Sequence, residues 1–173
     1  RIVSEHGWAD LVGPTVCRTL TPDEVAVVRG KLGPDPLNAD ADPGQFYRAA
    51  AKSSRPIGVI LMDQAAISGV GNIFRAESLY RQKIDPLRPG KTLSDDELRR
   101  LWDDNKHLLT IGVRVGRIIT TEQQDRPGIP ETEAWPDHAN YVYMRHGQKC
   151  PRCSATIRME EIAGRKLYWC PGC

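Results

Sequence analysis

The sequence predicts a mainly α-helical domain followed by a small β-hairpin module at the C-terminal end. Three observations support this fold class. Two segments begin with a Ser/Thr-x-x-Glu capping box and continue with apolar residues at helical spacing. Four of the five cysteines form two Cys-x-x-Cys motifs close to the end of the chain. The stretches beside those motifs contain aromatic and β-branched residues, which favour short strands.

The composition is that of a globular protein. Of the 173 residues, 40% are hydrophobic and 27% are charged. The sequence contains no run of about 18 apolar residues of the kind that spans a membrane. The net charge is only +2, but residues 145–173 hold six basic residues and two acidic ones. Clustered positive charge in a small module favours a phosphate-bearing partner, with a solvated surface as the alternative.

Capping and breaking residues set the bounds of the first predicted helices. One helix begins after Thr21, the cap of a box that Glu24 completes, and runs to about Leu32. A second, short helix is predicted over residues 43–52. Residues 57–67 are mostly apolar, which predicts a buried helix that ends at the glycine-rich stretch after it.

Two amphipathic helices are predicted next. The helix over residues 72–83 directs four apolar side chains toward the core: Ile73, Phe74, Leu79 and Tyr80. The longest helix begins at the capping box of Ser94 and Glu97 and runs to about Ile119. Its predicted core positions are Leu98, Leu101, Trp102, Leu108, Leu109 and Val113.

The stretch between the helices and the cysteines has no periodicity. Residues 121–140 contain three prolines and are predicted to form a linker. Beyond it, residues 141–143 and 165–169 are predicted to be strands.

Cys150, Cys153, Cys170 and Cys173 have the spacing of a zinc site, because each pair closes a tight turn that presents two sulfurs to one point. The alternatives are two disulfides or a redox pair. A disulfide scaffold would distribute its cysteines along the chain, whereas here Cys17 alone lies outside the cluster. The pattern predicts one structural zinc ion with no open position for catalysis, and Cys17 is predicted to be a buried thiol.

Two further features suit phosphate oxygens. Residues 68–72, Ser-Gly-Val-Gly-Asn, precede a predicted helix, where free backbone N–H groups and the helix dipole attract anions. The alternative is an interhelical turn in which glycine permits positive φ and Asn72 caps the next helix. Arg165 lies five residues before Cys170, on the predicted hairpin. By itself it is better explained as a solvated surface arginine.

The order of these motifs resembles a known family. The motifs are Leu32–Leu37, Asp63–Gln64, Gly69–Ile73 with Glu77, a long helix, Tyr141–Tyr143, and a four-cysteine ribbon with Arg165–Cys170. From about residue 10 to 173 the chain resembles the C-terminal half of the formamidopyrimidine-DNA glycosylase / endonuclease VIII family of base-excision repair enzymes. The ending Tyr-Trp-Cys-Pro-Gly-Cys is similar to the endonuclease VIII branch.

The resemblance implies an organisation and a partner. Residues 44–140 look like the family's helix–two-turns–helix DNA-binding domain, which with its lead-in helix extends over 21–140, and residues 141–173 look like its zinc ribbon. By position, Gly71 and Asn72 hold the phosphate beside the damaged nucleotide, and Arg165 on the hairpin holds the backbone too. The implied partner is double-stranded DNA, damaged or abasic. We expect a monomer in a bacterial cytoplasm, associated with the nucleoid during repair.

The N-terminal end departs from the family pattern. Family members use an N-terminal proline, whose amine attacks the sugar C1′, and a glutamate that assists proton transfer. Arg1 and Ile2 stand at these positions, so no catalytic residue is carried over. We expect the family's N-terminal β-sandwich to be largely missing, with residues 1–20 a remnant of it.

The expected function is therefore that of one part of a larger enzyme. The chain is predicted to be the DNA-clamping C-terminal portion, inactive alone, of a bifunctional DNA glycosylase/abasic-site lyase acting on oxidised bases. One alternative is a stand-alone, non-catalytic zinc-ribbon DNA-binding protein. Another is a zinc ribbon that binds proteins.

Overall fold

The computed structural model describes residues 1–12 and 16–173. The chain forms two compact units, residues 1–31 and residues 32–173, and each is described by itself.

The first unit contains a hairpin and one helix. Strands β1 (Ile2–Ser4) and β2 (Gly7–Ala9) pair antiparallel. Helix α1 (Pro22–Arg29) begins with the predicted capping box: the Thr21 hydroxyl accepts the Glu24 N–H, and the Glu24 carboxylate accepts the Thr21 N–H. Of the predicted remnant over 1–20, residues 13–15 lie outside the described residues. The prediction for Cys17 is wrong: its thiol is exposed, because it lies in a segment without regular structure.

The second unit contains four helices and a two-stranded sheet. The helices are α2 (Gly44–Ala51), α3 (Ile57–Ile60), α4 (Asn72–Arg81) and α5 (Asp95–Val115). Short 3-10 helices cover Gly90–Thr92, Gln123–Asp125 and Glu131–Glu133. Strands β3 (Arg158–Ile162) and β4 (Arg165–Trp169) form an antiparallel hairpin. Helices α2 and α4 and strand β4 lie where the sequence predicts them.

The buried helix predicted over residues 57–67 is wrong beyond its first turn. Helix α3 ends at Ile60, and turns follow. Two polar side chains take part in these turns. The Asp63 carboxylate accepts the Ala65 N–H, while the Gln64 amide donates to the Val70 carbonyl and accepts the Gly69 N–H. Such local side-chain bonds offer the backbone an alternative to a helix.

Helix α5 begins as predicted and ends earlier. The capping box of Ser94 and Glu97 is present, with both reciprocal hydrogen bonds. The helix ends at Val115 because Gly116 adopts the left-handed conformation, with φ 71°. The prediction that Val113 is a core residue is also wrong, since it is 72% exposed.

We expect substitutions at two glycines of this helix to act in opposite directions. Gly116→Ala should lower the free energy of unfolding by about 1 kcal/mol, because alanine is strained at positive φ. Gly112→Ala should raise it by about 0.5–1 kcal/mol, because Gly112 is helical and its added methyl would make only ordinary contacts. Urea unfolding followed by circular dichroism measures both. Equal effects of the two substitutions would contradict this explanation of the helix end.

Helix α4 lies between two hydrophobic cores. Its Phe74 and Leu79 belong to the larger core, which the helices build. Its Ala76 and Tyr80 belong to a second core with residues of the ribbon. The other members of that second core are Tyr141, Val142, Cys150, Ile157, Tyr168 and Cys170. Every residue from 74 to 80 is buried as a result, including the polar ones.

Residues 121–140, which the sequence predicts to be a linker, are held by packing and hydrogen bonds. Ile119, Ala134 and Ala139 form a small buried cluster, and the Thr120 N–H donates to the Ala139 carbonyl over 2.8 Å. The strand predicted over residues 141–143 is also absent from the described chain, because the Glu77 carboxylate accepts the N–H groups of these residues.

Among the described residues, none of the helices combines the length and the apolar character that a membrane-spanning segment needs.

Candidate metal centre and nucleic-acid interface

The four cysteines of the ribbon converge on one point. Their Sγ atoms all lie within 4.8 Å of one another, with 3.7 Å between Cys150 and Cys173 and 3.3 Å between Cys153 and Cys170. A tetrahedral ion with zinc–sulfur bonds of about 2.3 Å separates its ligands by about 3.8 Å. All four thiols are free rather than paired in disulfides. Four soft ligands at this spacing fit a closed, structural zinc site.

The sulfur of Cys150 has polar contacts with a backbone N–H group and with a tyrosine hydroxyl. The Arg152 N–H donates to Cys150 Sγ over 3.4 Å, and the Tyr80 hydroxyl oxygen lies 3.3 Å from the same sulfur. Such contacts orient metal ligands. Tyr80 belongs to helix α4, so the metal centre is linked to the helical domain as well as to its own hairpin.

The turn before helix α4 presents unpaired donors. Gly69 has φ 84°, so the positive φ expected in this motif falls there. Gly71 has φ −106° and precedes the helix, and a methyl group added to it would meet nothing within 4 Å. Within the described part of the chain, no hydrogen-bond acceptor faces the N–H groups of Gly71, Asn72 and Ile73. Free N–H groups at a helix start suit an anion.

Asn72 does not cap helix α4, contrary to one part of the alternative interpretation of this turn. It is the first helical residue, and its side chain crosses to the ribbon. The Nδ2 group donates to the Lys166 carbonyl over 2.9 Å, and Oδ1 accepts a hydrogen bond from Arg75. An amide nitrogen carries two hydrogens. One hydrogen of Asn72 Nδ2 is therefore available to a ligand.

Arg75 lies beneath this network. It is 1% exposed, and it donates to the Lys166 carbonyl over 3.1 Å and to the Gly58 carbonyl over 3.3 Å. Its Nε is buried without a hydrogen-bond partner, and its hydrogen bonds among the described residues go to two carbonyls and the Asn72 amide, none of them a carboxylate. Burial, and then the positive charge of Arg165, lower the pKa of Arg75 to about 10. A buried cation without a counter-ion favours an anion nearby.

The sequence did not identify Arg75 as a site residue. Its position in the amphipathic pattern of helix α4 indicates only that it lies on the polar face of that helix. The residue is buried because the ribbon covers that face, and this contact joins residues about 90 apart in the chain. No local signal would have revealed it.

Arg165 is the first residue of β4 and is exposed. Its neighbour Lys166 is the residue whose carbonyl binds Asn72 and Arg75. The structure therefore brings the three predicted residues, Gly71, Asn72 and Arg165, to one region of the surface, where the helix start meets the hairpin.

Glu77 holds residues 141–143, the segment that leads into the ribbon, by hydrogen bonds to its backbone. One carboxylate oxygen accepts the Thr120 hydroxyl over 2.6 Å and the Tyr141 N–H over 2.7 Å. The other accepts the N–H groups of Val142 and Tyr143, each over 2.8 Å. Burial raises the pKa of Glu77, and the four donors oppose that rise. This carboxylate binds the N–H groups of the segment predicted to be a strand.

Together, the helices, the glycine turn and the ribbon with four converging cysteines define a helix–two-turns–helix protein with a zinc ribbon. The family described as "Formamidopyrimidine-DNA glycosylase H2TH domain" matches residues 32–124. The family described as "Zinc finger found in FPG and IleRS" matches residues 147–173. The chain belongs to the formamidopyrimidine-DNA glycosylase / endonuclease VIII family, and its four cysteines form the structural zinc site of that family's zinc finger.

Two curated relatives illustrate the similarity. "Endonuclease 8 1" of Mycobacterium tuberculosis is 43% identical over all of this chain and 64% of its own length. Formamidopyrimidine-DNA glycosylase of Thermus thermophilus is 38% identical over 83% of this chain and 53% of its own length. The chain thus spans between about half and two thirds of these relatives.

Solved structures agree with this assignment. Lactococcus lactis Fpg in complex with DNA containing an abasic site has a TM-score of 0.70 and 27% identity, over 89% of this chain and 56% of the other. Thermus thermophilus MutM (Fpg) has a TM-score of 0.69 and 33% identity, over 87% of this chain and 56% of the other. The fold of helices and small hairpin sheets is the one these proteins share.

Proposed function

We propose that this chain is the DNA-clamping part of a bifunctional DNA glycosylase/abasic-site lyase that acts on oxidised bases. The observation that carries the proposal is the hydrogen-bond network between Asn72, Arg75 and the Lys166 carbonyl, which joins the start of helix α4 to the strand that contains Arg165. The partner is double-stranded DNA, damaged or abasic, which the chain binds as a monomer. The matched relatives carry the names of such enzymes.

The clamp acts on the DNA backbone. The N–H groups of Gly71 and Asn72 and the free hydrogen of Asn72 Nδ2 bind one phosphate, which the positive end of helix α4 also attracts. Arg165 binds a phosphate through charge-assisted hydrogen bonds. Arg75 is buried and touches no ligand, so it acts by fixing Asn72 and by adding positive potential. Contacts of this kind position a protein on DNA and do not select a base sequence.

We assign the chain to three regions. Residues 21–140 form the helix–two-turns–helix domain with its lead-in helix and its linker, and residues 141–173 form the zinc ribbon. Residues 1–20 correspond to a part of the family's β-sandwich. The zinc ion supplies structural coordination only, because its four ligands leave no position for a substrate.

Substitution of the two predicted phosphate ligands tests the clamp. Asn72→Ala and Arg165→Ala should each weaken binding to a duplex by roughly 1–3 kcal/mol, because each removes a hydrogen bond to a charged group. Arg165→Ala should also reduce the salt slope of binding by about one, whereas Asn72→Ala should leave that slope unchanged. Fluorescence anisotropy across a salt series measures both quantities.

Arg158→Ala is the matched control, because Arg158 is an exposed arginine on the neighbouring strand of the same hairpin. Its effect on affinity should be small. Unchanged affinity in both Asn72→Ala and Arg165→Ala would reject the phosphate assignment, and so would an equal loss in the control.

A further inference from the structure

Arg152 lies between two zinc ligands and reaches out of the ribbon. It stands in the turn between Cys150 and Cys153. Its guanidinium carbon is 4.6 Å from the centre of the Tyr141 ring and 5.2 Å from the centre of the Tyr80 ring. The two rings are themselves 4.9 Å apart, centre to centre. A cation at such distances is attracted by both rings.

The same guanidinium holds a residue from outside the ribbon. Arg152 Nη2 lies 3.1 Å from Asp125 Oδ2 and 3.3 Å from the Tyr141 hydroxyl, which itself donates to Asp125. Tyr141 also accepts the Glu122 N–H over 2.9 Å. Arg152 and Tyr141 together therefore bind both ends of the short helix Gln123–Asp125.

The chain just before this short helix has anchors that do not involve the metal-binding turn. Arg81 donates to the Thr120 carbonyl over 2.8 Å, and Glu77 accepts the Thr120 hydroxyl. We call residues 122–126 the latch segment. Its first residue, Glu122, also pairs with Arg81 of helix α4 over 3.3 Å. At Asp125 the segment is held by the Arg152 guanidinium and the Tyr141 hydroxyl, and Arg152 is the only one of these two that belongs to the metal-binding turn.

We infer that Arg152 makes the order of the latch segment depend on zinc. When Cys150 and Cys153 bind one ion, the turn between them has one conformation, and Arg152 is directed between Tyr80 and Tyr141 toward Asp125. When the metal is removed, the turn loses its fixed conformation and Asp125 loses its charged partner, keeping only the hydrogen bond from the Tyr141 hydroxyl. By reciprocity, an intact latch strengthens zinc binding by the same factor by which zinc stabilises the latch. This inference does not rest on the proposed DNA function.

Hydrogen–deuterium exchange of the full chain tests it without DNA. The reporters are the amides of Glu122, Asp125 and Arg126, which donate within the latch segment or to Tyr141. Arg152→Met keeps the side-chain length and removes the charge. With zinc bound, it should raise exchange at these amides about tenfold, from the lost ion pair and cation–π contacts. Exchange at Thr120, whose N–H donates to Ala139, should change little.

Two further variants distinguish the loss of the latch from the loss of a positive charge and from a change in the metal-binding turn. Arg158→Met removes a positive charge elsewhere in the ribbon and should leave exchange in the latch segment unchanged. Asp125→Ala releases the latch without altering the metal-binding turn. It should raise exchange as Arg152→Met does, and it should also weaken zinc binding, measured by competition with a chelator, by a similar factor.

The zinc affinity of Asp125→Ala decides between two explanations. A purely electrostatic role of Arg152 predicts unchanged or tighter zinc binding, because the zinc ion and its four thiolates together carry a charge of −2, which a neighbouring carboxylate repels. The latch predicts weaker binding. Wild-type exchange at Glu122, Asp125 and Arg126 in zinc-bound Arg152→Met, or unweakened zinc binding in Asp125→Ala, would overturn the inference.

Discussion

Removal of zinc is expected to unfold the ribbon and to abolish DNA binding, while the helical core stays folded. Cys150 and Cys170 are members of the second core, which is small. Its stability therefore depends on coordination, which contributes roughly 10–16 kcal/mol in zinc-finger peptides. The larger core contains none of the four ligands. Cys150→Ser should have the same effect as a chelator.

Nuclear magnetic resonance of the backbone amides measures this effect residue by residue. Amides of β3 and β4 should lose their dispersion on chelation, whereas those of α5 should keep it. Cys17→Ser is the control, because Cys17 is exposed and lies outside the cluster. A ribbon that stays ordered in the presence of chelator would show that the metal is not its main stabilising element.

Glu77→Gln is expected to destabilise the protein by about 3 kcal/mol, because it turns an amide NH₂ group toward buried N–H donors that then lack an acceptor. The carboxylate is fully buried and accepts four hydrogen bonds. No rotamer of glutamine offers four acceptor positions. The loss should fall on residues 141–143 and so on the placement of the ribbon against helix α4.

Urea unfolding followed by tyrosine fluorescence measures this change. Glu160→Gln removes the same charge from an exposed position of β3 and should change stability by less than about 0.5 kcal/mol. If Glu77→Gln matched that control, the carboxylate would not be what holds residues 141–143.

The features that the sequence predicted are those set by neighbouring residues. Both capping boxes, the start of α4 and strand β4 depend on contacts within a few positions. The zinc ligands were also predictable, because a Cys-x-x-Cys turn has few other uses in such a pair. Family motifs then pointed to Asn72 and Arg165, whose roles as phosphate ligands stay predictions.

The features that the sequence missed depend on distant contacts. The apolar stretch 57–67 predicted a helix because hydrophobicity does not show that Gln64 binds the backbone of Gly69 and Val70. Aromatic residues at 141 and 143 predicted a strand because the acceptor of their N–H groups, Glu77, lies more than sixty positions away. Arg75 was missed for the same reason, because only the docked ribbon buries it.

The most direct test of the central claim is the binding of the 173-residue chain to a duplex that carries an abasic-site analogue, followed by fluorescence anisotropy. An undamaged duplex, a chelator and a salt series are the controls. The clamp predicts binding that requires zinc, weakens steeply as salt rises, and is lost in part in Asn72→Ala and Arg165→Ala. A folded chain with one zinc ion bound that shows no salt-dependent affinity for either duplex would contradict it.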